Sequence, residues 1–179
     1  WDAIKDLLLF HQNEQTAYTI LTLEEVLKSL GKDFILYLDI KQVQRFQFPK
    51  MARQIHALIE KYYLEERVII ASSNVFFIGY MEYHFPGINT ALESFKAGKE
   101  WLHEITPRKF RPDFTACFQN QVNQRHIDWL KEKGLLERKI VYGVGEENLK
   151  ETICEQGILK VIIDYYYGLD AVLKGNSFC

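Results

Sequence analysis

Apolar positions along this chain fall into two kinds of run that take turns. Short, nearly unbroken apolar stretches occur at residues 34–39 (FILYLD), 67–71 (RVIIA), 88–92 (INTAL), 114–118 (FTACF), 139–143 (KIVYG) and 159–163 (LKVII). Each is too short for a helix of ordinary length, and most lack strict alternation. That is the pattern of strands covered on both faces. Between them the apolar residues recur at helical spacing. Met51, Ile55, Leu58, Ile59 and Tyr62 make one stripe after Pro49. Residues 75–84 make an aromatic-rich helix stopped by Pro86 and Gly87, residues 124–133 one ending at Gly134, and residues 146–156 one closed by Gly157.

Upstream, Thr22 and Glu25 have capping-box spacing, so LEEVLKSL is predicted as a helix, with Gly31 as its C-terminal glycine. Trp1, Ile4, Leu7 and Leu8 share a helical face, which predicts a further helix over 1–12. The stretch 93–113, with Pro107 and Pro112, is the irregular part of the chain.

Strand then helix, repeated six times, predicts a parallel α/β sheet. Two architectures fit: an open doubly wound sheet or a (β/α)8 TIM barrel. An open sheet commonly binds its ligand through a glycine-rich first turn, and Gly143-Val144-Gly145 lacks the third glycine of such a loop. Barrels carry their chemistry at the C-terminal ends of their strands. Asp39, Ser72-Ser73, Glu93, Asn120 and Asp164 all stand at or just past strand ends. The expectation is therefore an incomplete barrel of about six strands in one domain. Residues 1–20 form an N-terminal helical segment, and 21–179 carry the strand–helix units.

Composition narrows the function classes. A formal charge of −2 gives no electrostatic reason to expect nucleic acid or an anionic membrane surface as the main partner. No apolar run approaches the length of a membrane span. The first residue is Trp, and we expect a chain cut from a longer precursor. Cys117, Cys154 and Cys179 are odd in number and contain no CxxC pair, so free thiols are expected rather than a disulfide framework or a zinc site. That favours a reducing, cytoplasmic compartment.

The chemistry concentrates in LDIK. Residues two apart on a strand point the same way, so Asp39 and Lys41 share a face with Tyr37 below them. A carboxylate at a barrel mouth is a hard oxygen ligand for Mg2+ or Ca2+. A neighbouring ammonium can meet a phosphate oxygen and stabilise charge that grows in a transition state. The spacing alone equally describes an Asp–Lys salt bridge at a strand end. The five histidines (His11, His56, His84, His103 and His126) include no pair at metal-ligand spacing. Phe95, Trp101 and Phe110 read either as packing on outer helices or as an apolar wall for an acyl chain.

TLEEVLKSL, the strand ending LDIK, VIIASSN, YGVGEENLKE and GILKVIIDYY occur in an order that resembles the glycerophosphodiester phosphodiesterase family over roughly residues 20–167. The resemblance implies a (β/α)8 barrel with one divalent cation (Mg2+ or Ca2+). It also implies cleavage of a glycerophosphodiester or lysophospholipid to an alcohol and a glycerol phosphate. Asp39 then takes the place of a metal-binding acid and Lys41 that of the phosphate-contacting catalytic lysine. Tyr37, Ser72, Tyr142 and Asp164 are candidates for the substrate pocket. Sphingomyelinase D-like enzymes share the barrel and an Asp-x-Lys strand end, but they are secreted and disulfide-held.

The family's first two strands bring a His-Arg-Gly motif, a Glu-x-Asp pair and a His-Asp pair, and this chain contains none of them. They are also the two strands missing from the count of eight. The expectation is that these residues alone have little or no phosphodiesterase activity. The alternative is a catalytically dead barrel relic that binds a lipid headgroup or a protein. The open edges at 34–39 and 159–163 should invite self-association.

Overall fold

A computed structural model describes residues 6–11, 14–41 and 44–163. Its centre is a parallel sheet of six strands: β3 (Leu36–Asp39), β4 (Val68–Ser72), β5 (Asn89–Leu92), β6 (Phe114–Phe118), β7 (Lys139–Tyr142) and β8 (Lys160–Ile162). Each strand pairs with the next in sequence, in the order β3-β4-β5-β6-β7-β8. A doubly wound sheet reverses its order at a switch point; this one does not. The sheet is a curled half-barrel, as expected for an incomplete TIM barrel, and the doubly wound alternative is set aside.

The crossovers carry α2 (Phe48–Tyr62), α3 (Val75–His84), α4 (Glu100–Ile105), α5 (Gln124–Glu132) and α6 (Glu146–Lys150), while α1 (Leu23–Leu30) precedes β3. The α4 helix lies in the stretch read as irregular. It is only six residues long, too short for a periodic stripe to show. Beyond α6 the chain widens into a π turn over Glu151–Glu155, so the single α-helix predicted over 146–156 is interrupted.

Two faces of the sheet differ in what covers them. Ala71, Ala91, Ala116 and Ile140 pack together with Tyr37, Ile69, Phe114, Tyr142 and Ile162, a cluster drawn from strands alone. This is the inner face. Alanine at the centre of three adjacent strands leaves room for the curl. The outer face carries Val68, Ile70 and Leu92, which pack with Ile55 and Ile59 of α2 and with Phe77, Ile78 and Met81 of α3. A second outer cluster joins Val141 to Val144, Leu149 and Ile158.

The capping box forms as read: Thr22 Oγ1 accepts from the Glu25 amide at 3.2 Å, and Glu25 Oε2 accepts from the Thr22 amide at 2.7 Å. Gly31 does end α1, but for another reason than a left-handed cap. Its φ is −63°, and a Cβ there would stand 2.4 Å from Leu64 Cδ1 and 2.5 Å from the Leu27 carbonyl oxygen. Close packing, not backbone conformation, requires the glycine.

The helix predicted over 1–12 is corrected. Leu8–His11 (β1) and Glu14–Thr19 (β2) pair antiparallel in a separate two-stranded sheet, and residues 1–5 and 12 lie outside the described residues. Thr16, Tyr18 and Thr19 have the side chains that suit a pleated strand, and Thr16 Oγ1 ties back to the Leu9 carbonyl at 2.8 Å. A local partner strand thereby overrides a helical spacing that rested on four residues. The thiol expectation is also partly corrected: Cys117 is free and buried, but Cys154 is disulfide-bonded. No described helix is long and apolar enough to cross a membrane.

Candidate functional site

The C-terminal ends of β3 and β5 bring two carboxylates to the same opening. Asp39 stands in register with Ala71 of β4, and Ala71 with Ala91 of β5. Glu93 follows Ala91 by two residues and so shares its face. Its amide still donates to the Ser72 carbonyl at 3.0 Å, so the strand's alternation holds one residue beyond β5. Ser94, next along, takes a left-handed φ of 61° and turns the chain away. A non-glycine residue there is uncommon and is held by its surroundings.

Lys41 Nζ is ion-paired with Asp39 Oδ2 and lies 4.0 Å from Glu93 Oε2. The lysine side chain is 75% exposed and that of Glu93 10%, so an exposed cation sits over a largely desolvated acid. Tyr37 donates its phenol proton to Glu93 Oε1 at 3.2 Å. Asp39 Oδ1 is buried with no hydrogen-bond partner. A buried carboxylate oxygen is costly to leave unpaired, so this atom is where a cation or donor would be accepted.

The electrostatics follow from that crowding. Burial, and then the Asp39 charge, raise the Glu93 carboxyl above the usual carboxylate range; Lys41 and the Tyr37 hydrogen bond oppose the shift. Burial and the nearby Glu93 charge push the Tyr37 phenol far up. Tyr142 is raised by burial and then by Glu93. The hydrogen bond to Asp39 holds the Lys41 ammonium above its ordinary value. The lysine is therefore charged at neutral pH, and it faces both acids.

Of the residues singled out from sequence, Tyr37, Asp39, Lys41 and Tyr142 converge here. Tyr142 ends β7 on the inner face, its ring edge-on to Phe118 with centroids 4.4 Å apart. Ser72 does not join them. It is fully buried, and its hydroxyl donates to the Ile40 carbonyl at 2.8 Å and accepts from the Asn74 amide at 3.3 Å. It clamps the end of β3 to β4 rather than facing the opening. Asp164 and Tyr165-Tyr166-Tyr167 lie outside the described residues. Glu93 is the site residue that sequence reasoning left without a role. Its position two residues past Ala91 was the available signal.

Among the described residues no histidine joins the group. His126, inside α5, is fully buried with Nδ1 2.7 Å from Glu100 Oε1. Among the described residues no cluster of three or more His, Cys, Asp or Glu is arranged to hold a metal. Two carboxylates and a lysine can share a phosphate-bearing ligand with a cation. Mg2+ is commonly held by one or two carboxylates with substrate phosphates completing its shell, so Asp39 and Glu93 are the donors this site could offer such an ion.

No family model matches the chain, and no curated protein matches it. Solved structures do. A glycerophosphodiester phosphodiesterase from Parabacteroides distasonis ATCC 8503 superposes with a TM-score of 0.71 at 21% identity, covering 91% of this chain and 66% of that one. A putative glycerophosphodiester phosphodiesterase from Galdieria sulphuraria gives 0.70 at 18% identity, covering 97% and 70%. A putative glycerophosphoryl diester phosphodiesterase from Silicibacter pomeroyi DSS-3 gives 0.63 at 16% identity, covering 80% and 52%. The chain thus spans about two thirds or less of the length of two of these three relatives, and its six-stranded half-barrel has the fold of the glycerophosphodiester phosphodiesterases.

Proposed function

We propose that these residues supply one side of a metal-dependent phosphodiesterase site. That site hydrolyses a glycerophosphodiester or a lysophospholipid to an alcohol and a glycerol phosphate. The observation that carries the reading is the meeting of Asp39 and Glu93 at the strand ends, with Lys41 between them and Asp39 Oδ1 buried without a partner. Asp39 and Glu93 are the residues that would hold Mg2+ or Ca2+. A bound ion would neutralise charge on the phosphoryl oxygens.

The chain's own residues do the rest. Lys41, exposed and charged, swings from Asp39 to a phosphate oxygen and stabilises the charge that builds there. Tyr37 holds Glu93 in place by its hydrogen bond. Glu93, its proton affinity raised by burial, is the group suited to exchange a proton when no ion holds it. Tyr142 walls the opening across from β3.

Two acids hold an ion weakly, so this chain alone is expected to bind Ca2+ or Mg2+ at modest affinity and to turn over little. The test has two readouts. Tyr37 and Tyr142 flank the acids, so tyrosine-sensitised Tb3+ luminescence reports occupancy directly. It should be lost in Asp39→Ala and weakened in Glu93→Gln. The second readout is hydrolysis of glycerophosphocholine and of a lysophospholipid by the chain and by any longer protein that contains it. Metal-dependent turnover by the longer protein, abolished by Asp39→Ala, supports the reading. Tb3+ binding unaffected by Asp39→Ala overturns it.

A relic that only binds a headgroup is the second reading, favoured by the lack of a histidine or third acid in the cluster among the described residues. It predicts binding of glycerol phosphate without turnover in the longer protein. On either reading β3 and β8, the outermost strands of the six, are expected to promote association, which light scattering at several concentrations would detect.

A further inference from the structure

A cavity of about 700 Å3 opens between α3, α4 and the segment that follows α4. It is not part of the carboxylate site. Leu92 and Thr115 line it. They are register partners one residue beyond the inner-face pair Ala91 and Phe114, so their side chains point to the opposite side of the sheet.

Its walls grade from buried to exposed. Phe48, Ile78 and Phe95 form a floor, with Phe95 only 2% exposed. Phe76, Tyr83, Trp101 and Ile105 form the mouth, and Phe76 and Trp101 are 60% and 53% exposed. The α3 sequence VFFIGYMEYH is apolar on nearly every face. A helix of that kind is ordinarily buried all round, and here the face that is left over borders the cavity. At about 30 Å3 per molecule, a space of this size holds on the order of twenty waters, and a lining so poor in polar groups gives them few partners. Replacing such water with an alkyl chain is favourable.

Charge selects the other end of the occupant. None of the described lining residues is acidic, whereas Arg45, His84, His103 and Arg111 are among them. The Arg45 guanidinium carbon lies 4.1 Å from the centroid of the Phe76 ring at the mouth, and Lys109 Nζ lies 5.0 Å from that of Tyr83. Arg111 Nε donates to the Thr106 carbonyl at 2.8 Å, which fixes its guanidinium beside the opening. Neither arginine is in an ion pair with a described carboxylate. Exposed aromatics carrying cations, above an apolar well, suit an amphiphile with one anionic end.

We infer that this cavity binds a long-chain fatty acid, with the alkyl chain between α3 and α4 and the carboxylate at the Arg45–Arg111 rim. The site lies across the sheet from Asp39 and Glu93, so it is independent of the phosphodiesterase reading and stands or falls separately.

Gly79 supplies the test. It faces Phe110 across the cavity wall, and a Cβ there would meet Phe110 Cβ at 3.8 Å, an ordinary contact. The Cβ of Gly79→Leu therefore makes no clash, the rest of the side chain adds bulk at the cavity wall, and the change improves helix propensity. The experiment is isothermal titration of the chain with saturated carboxylates from decanoate to tetradecanoate, each below its aggregation concentration, and with the matching alcohols. Affinity should rise about fourfold per methylene. Carboxylates should bind at least about tenfold tighter than the alcohols. Gly79→Leu should weaken binding tenfold or more while circular dichroism and melting temperature show a folded chain. Ile105→Glu, at an exposed mouth position, should repel the carboxylate and spare the alcohol. Arg45→Gln should bring the two ligands together. Affinity independent of chain length, equal affinity for acid and alcohol, or undiminished binding by Gly79→Leu overturns the assignment. So does displacement of the fatty acid only by an amphipathic peptide bound more tightly to the same mouth, which would make the cavity a protein-docking groove.

Discussion

The phenol of Tyr37 donates to the Glu93 carboxylate at 3.2 Å, joining the middle of β3 to the end of β5 across the intervening strand β4. The bond passes over Ala71, whose small side chain leaves the space open. Removing it with Tyr37→Phe leaves a largely buried acid short of a donor. The expected cost is about 1 kcal/mol in denaturant unfolding. The Glu93 carboxyl should also titrate higher by carbon-detected NMR, because the tyrosine bond is one of the influences holding it down. An unmoved Glu93 titration would show that the hydrogen bond does not form in solution.

Lys41 is mostly exposed, and an exposed ion pair contributes little to stability. Lys41→Gln should therefore change unfolding free energy by less than about 0.5 kcal/mol. In a longer, active barrel the same change should lower kcat on the order of a hundredfold, because it removes charge stabilisation at the phosphate. A large stability loss with unchanged kcat would make Lys41 a structural residue instead.

Glu82 gives a pH dependence that has nothing to do with the site. Burial pushes its carboxyl up to about 7 from 4.5, and Asp113 adds to the shift, while a hydrogen bond from Thr90 opposes it. A carboxyl raised in the folded state binds more protons there than in the unfolded chain. Its contribution is present below about pH 4.5 and is lost as pH rises through about 7. Glu82→Gln keeps an acceptor for Thr90 and removes that loss. The variant should gain about 2 kcal/mol over the parent between pH 4.5 and pH 8, after discounting for partial exposure. Parallel stability curves for the two proteins would contradict it.

Gly31→Ala should destabilise by about 1–3 kcal/mol, because the new methyl meets a backbone carbonyl as well as Leu64. A shift in the denaturant midpoint without a change in slope would report it. A neutral outcome would mean that α1 and Leu64 are not packed as closely as described.

The strand–helix alternation was legible because each unit declares itself within about ten residues, through an unbroken apolar run, a stripe or a cap. Thr22 and Glu25 formed the box that their spacing required, and Asp39 and Lys41 shared a face because strand periodicity is local. The hairpin at Leu8–Thr19 was missed since its apolar spacing fits either period and pairing with β2 settled it. Ser72 could not be assigned a face from its strand-end position alone; the structure buries it next to inner-face Ala71, on the opposite face of β4.

What the sequence by itself determined is therefore the set of elements, the parallel class and one half of the acid pair. Only the tertiary structure set Glu93 beside Asp39, turned Ser72 into a clamp, made Gly31 a packing requirement and opened the cavity beside α3. The physical reason is range. Caps, stripes and strand periods depend on neighbours a few residues apart, whereas two strand ends meet only when the order and curvature of the whole sheet carry them to one opening.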